Sequence, residues 1–164
     1  MRLVTEVVAT ALAGILVVCS DPNGPTIDAS TILKYGVSFG FCSGYCSDSI
    51  IIKQDEYLFV RSGTNLPDST MRLDDVDAVL QELNKVDLNK FLQLDSIIGA
   101  PDAADGGREF VYIRNNSIDK KVVFSRNTTV SVIEKLVDEL RKLRSNQYED
   151  IQGLASTLTE NGHG

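Results

Sequence analysis

The sequence Tyr35-Gly-Val-Ser-Phe-Gly-Phe-Cys-Ser-Gly-Tyr-Cys46 decides most of what can be predicted about this fold. It holds two of the three cysteines, and apolar segments typical of strands lie on both sides of it. Four fully extended steps would place the Cα atoms of Cys42 and Cys46 about 13 Å apart. A disulfide requires less than about 7 Å, so a bonded pair would force the chain to fold back at Gly44, where a positive φ costs little.

The spacing of this cysteine pair leaves four interpretations open. The pair forms a disulfide clasp in an exported protein, a reactive redox pair, part of a metal site, or two buried thiols. The spacing differs from the C-x-x-C that lowers a thiol pKa in thioredoxin-like sites. A closed zinc site needs four ligands, and only Cys19 and His163 remain as further cysteine or histidine ligands. We favour the disulfide clasp.

The motif Cys42-Ser-Gly-Tyr-Cys46, followed by Ile50-Ile-Ile-Lys53 and Tyr57-Leu-Phe-Val60, resembles a bacterial domain family of unknown function. Its members are often secreted proteins or lipoproteins, and they carry a C-x-G-x-C motif followed by a β-hairpin. The segment Ala100–Gly107 is similar to a second family loop, in which cysteines often stand where this chain has alanines. The resemblance covers residues 31 to 145 and implies export, but no established activity.

The amino terminus, residues 1–19, has the pattern of a signal peptide or lipoprotein signal. Arg2 and the terminal amine are positive, and Val7–Val18 is an apolar segment shorter than a membrane-spanning helix. Cys19 is a candidate for lipidation, although Val18 stands where lipoproteins prefer a small residue. A signal without lipid and a buried amino-terminal helix are the alternatives. The predicted location is the periplasm or cell envelope, with a lipid anchor if Cys19 is modified.

Hydrophobic periodicity predicts an α+β fold, with an antiparallel sheet of about five strands and two or three helices packed on one face. Residues 20–30 read as a tether, 31–146 as a single domain, and 147–164 as a polar tail, with a loose helix at 148–158 as an option. Strands are predicted at 31–39, 49–54, 57–62, 109–114 and 119–125, with a further edge strand at 70–73. Helices are predicted at 74–86, 87–94 and 131–146.

The composition argues against several classes of catalytic and binding site. The only histidine, His163, lies two residues from the end, which removes most Ser-His-Asp, Cys-His and His-metal arrangements. The net charge of −7 argues against a nucleic-acid partner. Asp102 and Asp105 are weak calcium candidates, because their loop falls short of a full calcium-binding motif. No cofactor is expected.

These observations favour a non-catalytic binding or structural module over an enzyme. Phe39, Phe41 and Tyr45 would present the loop to an unknown protein or glycan partner, since aromatic side chains on a rigid loop are good anchors. Packing of these aromatics into the core is an equal alternative. The membrane is expected to be reached only through the amino-terminal anchor. The alternative function is a thiol-redox protein that uses Cys42 and Cys46.

Overall fold

A computed structural model gives the fold of residues 27–40, 42–101 and 106–160, with side chains described as far as residue 149. This part of the chain forms seven strands and three helices. In chain order they are β1 (Ile32–Ser38), β2 (Tyr45–Lys53), β3 (Glu56–Gly63), β4 (Leu66–Arg72), α1 (Asp77–Leu83), α2 (Leu88–Gln93), β5 (Ile97–Ile98), β6 (Arg108–Arg114), β7 (Asp119–Ser125) and α3 (Glu134–Glu160).

All seven strands belong to one sheet in the order β4-β3-β2-β1-β6-β7-β5. Neighbouring strands are antiparallel, except that β5 pairs in parallel with β7. The central strand, β1, is paired along its seven residues with β2 on one side and with β6 on the other. The predicted α+β class is therefore confirmed.

The predicted number of about five strands is wrong, because the sheet has seven. The edge strand β4 begins at Leu66, four residues before the predicted start, and includes Pro67 and Asp68. Both residue types disfavour strands, but an edge position tolerates a proline that cannot donate a hydrogen bond. β5 has two residues and lies in a predicted loop. A strand of that length is too short to show an alternating pattern.

The core lies between the helices and one side of the sheet, which we call the inner face. In β1, Leu33, Tyr35 and Val37 point to this face and are at most 1% exposed. Their register partners in the neighbouring strands continue the same layer, as do the apolar residues of the helices. Examples are Ile50, Ile52, Phe59, Val111, Ile113, Val122 and Phe124 from the sheet, and Val79, Leu83, Phe91, Leu136 and Leu140 from the helices.

Helix α3 is longer than predicted. It was expected to end near residue 146, but it continues to Glu160 as one helix of 27 residues, about 40 Å long. The helix therefore enters the segment predicted as a polar tail. Proline is absent from this stretch, so nothing in the sequence forces the helix to stop.

Several predictions fall outside the described residues. They are the signal segment with Cys19, the first part of the tether, Phe41, and the calcium candidates Asp102 and Asp105. Within the residues that the structure describes, no helix combines the length and apolar character needed to cross a bilayer.

Candidate functional site at the cysteine-loop end

Cys42 and Cys46 form a disulfide, with their Cα atoms 5.5 Å apart. The chain reverses between them at Gly44, which has a φ of 91°. Cys46 lies at an irregularity in the β2–β3 ladder, where the register shifts between Tyr45 and Ser47. The disulfide thus closes the connection between the central strand β1 and its neighbour β2, which is the pairing that we favoured among the four interpretations left open by the spacing.

The loop is also held by its neighbours. The backbone N–H of Phe39 donates to the carbonyl oxygen of Cys46 at 3.0 Å, and the N–H of Thr64 donates to that of Gly44 at 3.3 Å. A Cβ atom on Gly63 would collide with the Gly44 carbonyl, so the β3–β4 turn fits directly against the cysteine loop. Disulfide, backbone hydrogen bonds and close packing therefore restrict the loop together.

The loop and the adjacent turn present one continuous solvent-facing surface, which we call the cysteine-loop surface. Its exposed members are Cys42, Ser43, Thr64, Asn65 and Leu66. Leu66 is 42% exposed and is one of three exposed large apolar side chains in the part of the chain whose side chains are described. Because the loop beside Leu66 is already restricted, a partner that contacts this surface would have little loop motion to immobilise.

The predicted loop aromatics are held by internal contacts. Tyr45 is half-buried, and the guanidinium of Arg61 lies 4.3 Å from its ring centroid. Phe39 packs against the core, covers Gly107, and has Arg126 at 5.2 Å from its ring. These two residues therefore support the cysteine loop through contacts inside the protein. Phe41 is outside the described residues.

A cluster of polar side chains lies beneath the cysteine-loop surface, between α3 and the sheet. Arg144 donates to both carboxylate oxygens of Asp48, from Nε at 2.6 Å and from Nη2 at 2.7 Å. The hydroxyl of Tyr148 donates to the same carboxylate in a short hydrogen bond. Arg61 lies 5.3 Å from the Tyr148 ring, so it is placed between Tyr148 and Tyr45. These contacts connect the loop end to α3.

A second buried carboxylate lies on the other side of β1. Glu109 accepts from Nε and Nη2 of Arg141, at 3.1 and 2.8 Å. Asp48 and Glu109 are both register partners of Val37, so their backbones are two strand spacings, about 10 Å, apart. Each carboxylate is only 3% exposed and is neutralised by its own arginine. The two pairs therefore position α3 across the sheet.

Burial and hydrogen bonding also change tyrosine acidity in this region. Burial, followed by the hydrogen bond to Asp48, raises the pKa of Tyr148. Burial, followed by the nearby Glu109 carboxylate, raises the pKa of Tyr35. Both hydroxyls therefore remain protonated at neutral pH.

Sequence reasoning identified neither the pair of Asp48 with Arg144 nor the pair of Glu109 with Arg141. The available signal was an acidic residue at an inward position of an alternating strand. That signal could not identify the partner, because Arg144 is 96 residues away from Asp48 along the chain.

Within the ranges given above, no group of three or more histidine, cysteine or acidic side chains is arranged to hold a metal ion. Comparison with known proteins adds no identity. No protein-family model matches the chain, and no curated protein matches it. The resemblance to a secreted domain family therefore stays a prediction.

Proposed function

We propose that this protein is an exported, non-catalytic module that binds a protein or glycan partner through the cysteine-loop surface. The observation that carries the proposal is the restricted loop with Leu66 exposed at its side. A surface that is ordered before binding loses less conformational entropy when a partner arrives.

Two further observations support parts of the proposal. Disulfides persist in oxidising compartments, which favours export to the periplasm or envelope, with Cys19 as the proposed lipid anchor. The buried carboxylates Asp48 and Glu109 are both occupied by arginines, which favours a structural role for them over acid–base catalysis.

The Leu66→Asp variant tests the binding surface. Leu92→Asp is the matched control, because Leu92 is similarly exposed (38%) but lies in α2. We expect wild-type protein immobilised on beads to retain a specific component of an envelope extract or a glycan array. Retention should fall at least tenfold for Leu66→Asp and stay within twofold for Leu92→Asp. Equal retention by the two variants, or none by the wild type, would refute the proposal.

Thiol-redox chemistry is the second candidate, and the exposure of Cys42 favours it. A redox protein must exchange its disulfide with an external thiol, and Cys42 is an exposed residue. Mild glutathione buffer followed by alkylation and intact mass measurement separates the candidates. Labelling of both cysteines would support redox chemistry. A disulfide that is reduced only by strong reductant would contradict redox chemistry and support the binding module.

A further inference from the structure

The side of the sheet opposite the inner face, which we call the open face, carries two rows of side chains set by the strand register. One row runs from Lys121 through Tyr112, Lys34, Ile51 and Leu58 to Arg72. It crosses six strands and is therefore about 24 Å wide. The adjacent row consists of Ile97, Val123, Phe110, Gly36, Ser49, Val60 and Thr70.

The open face is basic although the whole chain is acidic. The register directs six basic side chains to it: Lys34, Lys53, Arg72, Arg108, Arg114 and Lys121. Three acidic side chains share this face: Glu56 is paired with Lys53, Asp119 is paired with Arg114, and Asp68 lies in the edge strand β4. Neither Lys34 nor Lys121 forms an ion pair with any residue that the structure describes. Because the chain carries −7 in total, its remaining surface is more acidic still.

Apolar side chains fill the space between these cations. Ile51, Leu58 and Val60 are half-buried, and Ile97 is 64% exposed. The Phe110 ring covers Gly36, where a Cβ atom would collide with it, and Lys121 Nζ lies 4.1 Å from the ring centroid. The face is therefore amphipathic, with aliphatic and aromatic surface among the basic groups.

The helical layer has the opposite charge character. Residues 74–95 and 126–149, which make up the helical layer as far as its side chains are described, hold ten acidic and seven basic residues. The exposed Asp74, Asp75 and Asp77 lie just before or at the start of α1. Acidic groups on the helical layer and basic groups on the open face give the molecule a charge asymmetry across its thickness. An anionic surface would attract the open face and repel the helical layer, which selects one orientation.

We propose that the open face docks on an anionic lipid bilayer. The cations are spread over the breadth of the sheet instead of converging on a groove, as a peptide-binding site would require. Aliphatic side chains between them offer no hydrogen bonds to sugar hydroxyls, but they can enter the headgroup region together with Tyr112. This docking is separate from partner binding at the cysteine-loop surface and adds to any anchor at Cys19.

Charge reversal on full-length protein tests the electrostatic part. The experiment compares sedimentation with vesicles of 30% phosphatidylglycerol in phosphatidylcholine and with vesicles of phosphatidylcholine alone. Each basic residue near an anionic surface contributes about fivefold to partitioning. We therefore expect Lys34→Glu/Lys121→Glu to lower the phosphatidylglycerol-dependent binding at least 25-fold.

Lys90→Glu/Lys135→Glu is the control with the same change of net charge. Both lysines are exposed on the helical layer, so this variant should bind within threefold of the wild type. Wild-type binding should also weaken as NaCl is raised from 50 to 500 mM. Equal loss in the two variants, or wild-type binding independent of phosphatidylglycerol, would overturn the proposal. The amino-terminal segment is the same in all variants, so its contribution to binding cancels when the variants are compared.

Tryptophan reporters test the orientation independently of charge. The chain contains no tryptophan, so Ile97→Trp on the open face and Leu92→Trp on α2 each give a single emission signal. With phosphatidylglycerol vesicles, we expect a blue shift of about 10 nm or more for Ile97→Trp and none for Leu92→Trp, as expected for transfer into the interface. A shift only at position 92 would place the wrong side on the bilayer and would also overturn the proposal.

Discussion

Asp48 is the single residue on which the attachment of α3 most depends. Its side chain is 3% exposed and receives hydrogen bonds from two residues of that helix, Arg144 and Tyr148. A buried carboxylate is tolerated only while such partners compensate for its lost hydration. Removing one partner therefore affects stability more than the loss of an equivalent surface pair.

Arg144→Ala should lower the free energy of unfolding by about 3 kcal/mol, because it leaves the Asp48 carboxylate buried without its cation. Lys142→Ala is the control from the same helix, since its ion pair with Glu139 is solvent-exposed, and the midpoint should hardly move. Urea titration at constant m-value measures both changes. A loss below about 1 kcal/mol for Arg144→Ala would show that Asp48 is hydrated in the folded protein.

The two buried tyrosines predict loss of stability at alkaline pH. Their pKa values are raised above the ordinary 10 in the folded state, so folding favours the protonated forms. That contribution is complete below pH 10 and disappears as the pH rises through the folded-state pKa values. Tyr35→Phe and Tyr148→Phe should each reduce the stability lost between pH 8 and pH 11 in urea titrations.

At pH 8 the same two variants should differ in their free energy of unfolding. The hydroxyl of Tyr35 has no hydrogen-bond partner among the described residues, so its removal should leave stability unchanged or increased. Tyr148→Phe removes a hydrogen bond to a charged group and should cost about 2 kcal/mol. If the phenylalanine variants lose as much stability as the wild type on alkaline titration, the alkaline transition belongs to other groups.

The β3–β4 turn and the cysteine loop form one structural element, because Gly63 leaves room for the Gly44 carbonyl. Gly63→Ala should destabilise the protein by about 1–3 kcal/mol, since the new Cβ would press against backbone that the disulfide restrains. Gly40→Ala is the control in the same loop, where a Cβ meets no atom within 4 Å and stability should change little. Similar urea midpoints for the two variants would show that the loop moves freely away from the turn.

Elements with a repeated pattern were predictable, and elements without one were not. The central strand followed from loosely alternating apolar residues around Tyr35, and the hairpin β6–β7 followed from two apolar runs around Tyr112 and Val122. The first half of β4 was not predicted because it contains Pro67, and β5 was not predicted because it has only two residues. Their pairing depends on neighbouring strands, and the strand propensity of the residues themselves does not indicate it.

Only the cysteine loop of the candidate site was predictable, because the few residues between the two cysteines limit how that loop can fold. Cys42 and Cys46 must lie close if bonded, and the loop between them has to turn at Gly44. The exposure of Leu66 and the pairing of Asp48 with Arg144 depend on the arrangement of three strands and a helix. Tertiary contacts of that kind have no signature in a single sequence.

At the scale of the whole molecule, the two faces of the sheet carry different kinds of side chain. The inner face holds the core and both buried ion pairs, whereas the open face carries unpaired lysines among apolar side chains. The cysteine-loop surface lies at the end of the sheet, where β1 passes into β2. This division would leave the loop accessible to a partner while the open face rests on lipid.

The position of β1 determines how the fold bears mechanical load. A pull on the chain before Ile32 acts along the axis of this strand, which is hydrogen-bonded on both sides over its length. Such a load must shear two ladders at the same time, because neither neighbour can be peeled away one bond after another. A chain that enters through its central strand therefore resists such a pull better than a chain that enters through an edge strand.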